Sequence, residues 1–177
     1  MAVKLKKLGL VLLCTVMMSE AVQAQNCRLS VSQPTVDYGV IRSAPLVHSP
    51  TLALGTRMLH LSVLCMEPAT IALRFAGAAD GQSFRFGRQG HFRLTLKQAQ
   101  MDGHAVEWAP VQLAGEPVGG QLLPGQVLFT RAAGKRLTAQ VQIDTELPSD
   151  ALQVRDHAVL EGRGRFELVS PTAPLSR

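Results

Sequence analysis

From residue 27 onward, apolar and polar residues trade places at nearly every step, the period-two signature of strands with one buried and one wet face. Cys27, Leu29 and Val31 share one side of a first strand, with Arg28 and Ser30 on the other. Pro34 interrupts this run, because proline lacks the N–H that a central ladder needs, and residues 36–41 predict a second short strand. Leu59, Leu61, Val63 and Cys65 then oppose His60, Ser62 and Leu64, a parity that sends Cys65 to the core. Beyond Met66-Glu67-Pro68, which reads as a turn, Ile71, Leu73 and Phe75 alternate with Ala72 and Arg74, and the run dies in the loop-like residues 77–81. Phe92, Leu94 and Leu96 oppose Arg93, Thr95 and Lys97.

Asp102-Gly103 is a tight-turn dipeptide, so a strand ending near Gln100 is expected to pair as a hairpin with residues 104–108. Residues 110–125 are rich in glycine and proline and predict an irregular connection between sheets. Leu137, Ala139, Val141 and Ile143 form another half-buried strand, ended by Leu147-Pro148-Ser149-Asp150. The last alternation carries Leu160, Gly162, Gly164, Phe166 and Leu168 on one face, against the solvated Glu161, Arg163, Arg165 and Glu167. No window after residue 24 holds a helical period. About eight strands separated by turn residues predict an all-β fold, an antiparallel two-sheet sandwich with barrel closure as the alternative.

The chain start is different. Lys4, Lys6 and Lys7 precede an apolar run from Leu8 to Met18, and Val22-Gln23-Ala24 supplies small residues for cleavage, which together read as a Sec signal. The run is about half of what a membrane-spanning helix needs, so the mature chain is expected to have no membrane span. Cleavage after Ala24 leaves roughly 150 residues, ordinary for one domain. The expected organisation is a signal peptide at 1–24, a single β-sandwich domain at 25–169 and a flexible tail at 170–177.

Export changes the meaning of the cysteines. Cys14 leaves with the signal, and the remaining pair, Cys27 and Cys65, reads as a disulfide formed in an oxidising compartment. Closing a loop of about 40 residues is worth on the order of 4 kcal/mol through the unfolded state. Neither cysteine has a close-set second ligand, so the pair does not resemble a metal site.

Net charge is +5 over 177 residues, and cleavage would remove three lysines and one glutamate from that total. Charges of both signs are interspersed, which argues against a nucleic-acid partner. No nucleophile and base, and no carboxylate pair, stand at a recognisable spacing. The five histidines, His48, His60, His91, His104 and His157, form no metal-like pair, and Asp37 beside Tyr38-Gly39 reads as a bend. Arg163-Gly164-Arg165 belongs to an alternating strand, not a phosphate loop. The expectation is a non-enzymatic protein with no catalytic residue, metal or cofactor. Trp108 and Tyr38 are the aromatic candidates for sugar stacking, with core or rim packing as the alternative.

The ordered set Cys27-Arg28-Leu29-Ser30-Val31, Val36-Asp37-Tyr38-Gly39 and Leu61-Ser62-Val63-Leu64-Cys65, with Pro68 just beyond, resembles the opening half of bacterial fimbrial subunits and of spore-coat-U-like and other fimbria-like secreted proteins. The likeness continues at Phe86-Gly87, Phe92-Arg93-Leu94 and Asp102-Gly103. It implies an incomplete immunoglobulin-like sandwich lacking its last strand. A periplasmic chaperone would complete it first, and a neighbouring fimbrial subunit would do so after delivery to an outer-membrane usher, by strand addition at a sheet edge. It also implies passage through the periplasm to the cell surface or medium, in a structural or adhesive role.

In that picture Leu160, Gly162, Gly164, Phe166 and Leu168 line the complementation groove. The space beside Gly162 and Gly164 is open either to a partner's side chains or to larger neighbours of the same chain. Polymerising subunits carry an alternating extension before the first cysteine; here Gln25 and Asn26 alone follow the expected cleavage point, which implies a tip or minor subunit rather than a shaft. The alternative is a self-complete secreted sandwich that binds a glycan or other surface ligand without polymerising.

Overall fold

The computed structural model describes residues 27–39, 41, 50–110, 119–152 and 160–169. The expected signal peptide, the expected tail, and Cys14, His48 and His157 lie outside them. The described residues are all-β, in chain order β1 (Cys27–Val31), β2 (Thr51–Gly77), β3 (Ala79–Asp80), β4 (Ser83–Phe86), β5 (Gly90–Met101), β6 (His104–Ala105), β7 (Trp108–Pro110), β8 (Gln121–Leu122), β9 (Leu128–Pro148) and β10 (Gly164–Leu168). A short 3₁₀ turn at Ser149–Leu152 follows β9 where Leu147-Pro148-Ser149-Asp150 was expected to end a strand.

All ten strands belong to one antiparallel sheet that curls into a half-barrel. Its spine is the pair β2 and β9, matched from Thr51 opposite Pro148 to Leu73 opposite Leu128. Met66-Glu67-Pro68 is not the turn its composition suggests. The chain stays in β2, but its register with β9 slips between Leu64 and Ala69 and again between Thr70 and Ala72. Pro68 sits within that irregularity, where the ladder asks for no N–H from it.

On the far side of β9 lies β5, whose other edge is lined in turn by β4, β8 and β6. On the edge of β2 away from β9, β1 covers Leu61–Cys65 and β10 covers Leu73–Gly77. Two backbone bonds draw the ends of the curl together. Arg85 N–H donates to Ala78 C=O, just past β2, and Gly87 N–H donates to Glu161 C=O, just before β10, both at 2.8 Å.

Inside the curl, Leu61 and Val63 of β2 meet Leu94 and Leu96 of β5 and Leu137, Val141 and Leu147 of β9, all buried. The parity read from the sequence therefore holds across the spine. Cys65 is buried and bonded to Cys27, which lies directly opposite it on the adjacent strand. The bridge closes a loop with a sequence separation of 38 and joins neighbours within the sheet.

Asp102-Gly103 makes the expected hairpin turn, with both residues at positive φ, 51° and 85°, as a two-residue turn of the primed kind requires. The returning strand is shorter than the expected 104–108. β6 ends at Ala105, and Trp108 crosses to pair with Thr130 of β9. The Asp102 carboxylate also accepts backbone N–H bonds from Arg136 (2.8 Å) and Lys135 (3.1 Å), close to the place where β9 follows the slip in β2. These donors, Arg136 first, favour the anion and hold the carboxyl below its ordinary range.

Candidate functional site

β10 is the one strand whose flank matches the sequence-derived groove, and its geometry follows from which way each residue faces. Val169 N–H donates to Ala72 C=O at 2.9 Å, which makes that pair hydrogen-bonded. In an antiparallel ladder such pairs alternate, so Arg165 and Glu167 aim their backbone groups at β2, whereas Gly164, Phe166 and Leu168 aim theirs away from it. Among the described residues no strand pairs with that outer edge. The side chains of Phe166 and Leu168 pack, half-buried, against the core, and Arg165 lies exposed on the opposite face with Glu167 beside it.

Beneath β10 lies a cluster of phenylalanines. Phe75 stands edge-on to Phe166 at 5.0 Å and to Phe84 at 4.8 Å, and Phe84 stacks on Phe92 at 5.5 Å. These rings occupy the volume that the two glycines leave. A methyl group at Gly162 would come within 2.7 Å of Phe92 Cε1 and 3.1 Å of Phe86 Cδ2, and one at Gly164 would collide with the Phe75 ring. Gly77, opposite Gly164, lies under the same ring, with Phe75 Cε1 2.7 Å from where its Cβ would be. An aromatic ring covering a cross-strand glycine pair replaces the side chains the pair lacks. Leu160 packs in the same way over Gly87. Rings of the same chain therefore lie where a side chain at Gly162 or Gly164 would point, while both glycines stay exposed.

The outer face of β10 is an ion-pair ladder. Glu167 accepts from Arg74 Nε at 2.7 Å and from Arg165, and Glu161 accepts from Arg163 at 2.6 Å. The two guanidiniums, Arg165 first, hold the Glu167 carboxyl below its usual range.

Of the strand expected at residues 36–41, the described residues 36–39 and 41 form none. They still alternate in burial: Val36 and Tyr38 face the core, and Asp37 and Gly39 face out. Asp37 accepts the Gly39 N–H at 2.7 Å, the bend expected of that pair. Tyr38 is tied by a 2.7 Å hydrogen bond shared with Thr145 Oγ1, edge-on contact with Phe86 at 5.9 Å, and the Arg57 guanidinium over its ring at 5.1 Å. These tethers leave it unsuited to stacking on a sugar, and Trp108 is buried in the core.

Elsewhere, the outer face of the spine bears a shallow hollow of about 300 Å³ lined by polar side chains including His60, Ser62, Gln98, Gln100, Thr138 and Gln140. Gln98 lies at a register slip in β5 with φ at +49°, a bulge that tilts its side chain. Among the described residues no three His, Cys, Asp or Glu side chains gather where they could hold a metal ion. No protein-family model matches the chain, and no curated protein matches it.

Proposed function

We propose that this protein is an extracytoplasmic fimbrial or fimbria-like subunit, structural or adhesive. Its β10 edge would be completed by a strand lent first by a periplasmic chaperone and then, at an outer-membrane usher, by a neighbouring subunit. On this reading the half-barrel is an immunoglobulin-like sandwich short of one strand, and the signal-like residues 1–24 direct export. The observation that carries the proposal is the flank of β10, where the backbone groups of Gly164, Phe166 and Leu168 face away from β2 with no strand beside them among the described residues. Unpaired edge groups beside half-buried apolar side chains are what an added strand satisfies, and what aggregates when left bare. The Cys27–Cys65 bridge supports an oxidising compartment.

The test is to add a peptide of alternating apolar residues, or the cognate chaperone, to the disulfide-bonded chain and follow its melting temperature. A ligand at a hundredfold excess over its Kd adds about 2.7 kcal/mol, which raises Tm by about 8 °C in a domain of this size. Phe166→Asp, by charging the groove floor, is expected to abolish the gain. A chain that melts at the same temperature with and without both additives rejects the proposal.

The second reading, a self-complete secreted sandwich that binds a glycan, draws on the hollow beside Gln98, whose amides and hydroxyls match sugar hydroxyls in kind. It would be favoured by glycan binding that Gln100→Ala removes while the melting response to donor peptides is absent.

A further inference from the structure

We infer that the edge of β10, unpaired among the described residues, is also a self-association surface, on which a second copy of this chain docks β10 against β10, antiparallel, about a two-fold axis through Phe166. Gly164, Phe166 and Leu168 direct their N–H and C=O groups to the open side. Setting Phe166 opposite Phe166 of the second copy brings Gly164 opposite Leu168, so all three residues on each side meet as hydrogen-bonded pairs. An interface of this kind is isologous and closes on itself, giving a dimer instead of a filament.

Charge selects that register from its neighbours. The outward residues of β10 and its lead run Glu161, Arg163, Arg165, Glu167. With the axis at Phe166, Arg165 of each copy lies directly across from Glu167 of the other, in the close non-hydrogen-bonded position where opposite charges attract. With the axis at Gly164, Arg163 faces Arg165 and Glu161 faces Glu167; at Glu167 that residue faces itself, and at Arg165 the self-facing pair of guanidiniums sits between two Arg163–Glu167 pairs and offsets part of their attraction. Each of those alternatives sets like charges across the seam, which destabilises a strand pair. The chain already crowds Arg74 and Arg165 onto the single Glu167 carboxylate. Docking brings the second copy's Glu167 within reach of Arg165 while Arg74 stays on Glu167 of its own chain. On the inner face, the Leu168 side chain of the second copy arrives over Gly164, where the Phe75 ring offers an apolar surface.

This inference rests on the open edge and not on the fimbrial reading, so a dimer in a protein indifferent to donor peptides would keep the one and reject the other. Sedimentation of the disulfide-bonded chain over a range of concentrations is expected to show a monomer–dimer equilibrium. Arg165→Glu, which sets carboxylates against each other across the seam, is expected to weaken dimerisation about tenfold or more, and Glu167→Arg to do the same by setting guanidiniums together. Mixed in equal amounts, the two variants restore every opposite-charge pair and are expected to recover the dimer as a heterodimer. A third measurement needs no variant: backbone amides of Phe166 and Leu168 should exchange with solvent faster on dilution, while those of Arg165 and Glu167, bonded to β2, stay protected. A wild-type chain that is monomeric throughout, amides of Phe166 and Leu168 protected to the same degree at every concentration, or a mixture that stays monomeric would each overturn the inference.

Discussion

β9 and β10 run antiparallel to the same strand, β2, and end up in opposite circumstances. β9 is flanked on both sides along most of its length, by β2 and by β5, and its inward residues Leu137, Val141 and Leu147 are fully buried. β10 has β2 alone among the described residues, and its inward Phe166 and Leu168 keep part of their surface in water. Both carry alternating sequences of similar quality. What separates them is the number of neighbours among the described residues, and the difference shows how a curled sheet concentrates its stability in the strands flanked on both sides.

The sharpest way to break that contrast is through the covalent tie on the neighbouring stretch of the same edge. Reducing the Cys27–Cys65 bridge is expected to cost about 4 kcal/mol for the loop it closes. Because β1 shares the free edge of β2 with β10, the loss should make both strands labile before β9 is affected. Denaturant melts with and without reductant, read alongside amide exchange in β9, would check this; equal acceleration in β9 and β1 would show that the edge is no separate unit.

Truncation compares the two strands directly. Leu137→Ala removes a side chain with no exposed surface and is expected to cost about 3 kcal/mol. Phe166→Ala, at a half-buried position, is expected to cost about half as much even though phenylalanine is larger. Chemical denaturation of the two variants gives the ratio, and a Phe166→Ala variant that loses as much as Leu137→Ala would mean that β10 is sealed in solution.

The smallest effect lies in acid. Asp102 serves the hairpin beside β9, Glu167 serves β10, and both carboxyls are held below their ordinary range. A depressed folded-state pKa stabilises the fold above the ordinary carboxylate range, and that contribution is lost as pH falls through the lower folded-state value. Asp102→Asn is expected to flatten the acid limb of a stability–pH curve at any ionic strength, because its donors are fixed backbone N–H groups. Glu167→Gln should do so only at low salt, since exposed guanidiniums are screened. Urea midpoints measured down through the carboxylate range at two salt concentrations would separate them.

Much of this was legible in the chain because side-chain parity is a local property. Leu59, Leu61, Val63 and Cys65 face inward as their spacing says, and Asp102-Gly103 turns as its backbone preferences say. Residues 36–39 show where parity stops: they alternate in burial as a strand does, yet no ladder forms, because alternation reports which side is covered and not whether a neighbour exists. Met66-Glu67-Pro68 carries the composition of a turn, but whether such a segment reverses or bulges depends on β9, more than sixty residues away, slipping with it. The site was half legible for the same reason. Leu160, Phe166 and Leu168 do share the inward face, but the rings filling the space at Gly162 and Gly164 come from Phe75, Phe86 and Phe92, which only the curl brings beneath them.

The placement of β1 and β10 along one side of β2 gives the molecule a mechanical polarity. Both run antiparallel to β2, so the start of β1, at Cys65, and the end of β10, at Leu73, lie near each other along it. A pull between these two points meets a covalent rivet at Cys27, which passes the load straight into β2. At Leu168 the same pull lifts β10 away one bond at a time, as a zipper opens, while β2 and β9 hold. Under traction β10 is expected to release first, with the riveted β1 and the β2–β9 spine outlasting it.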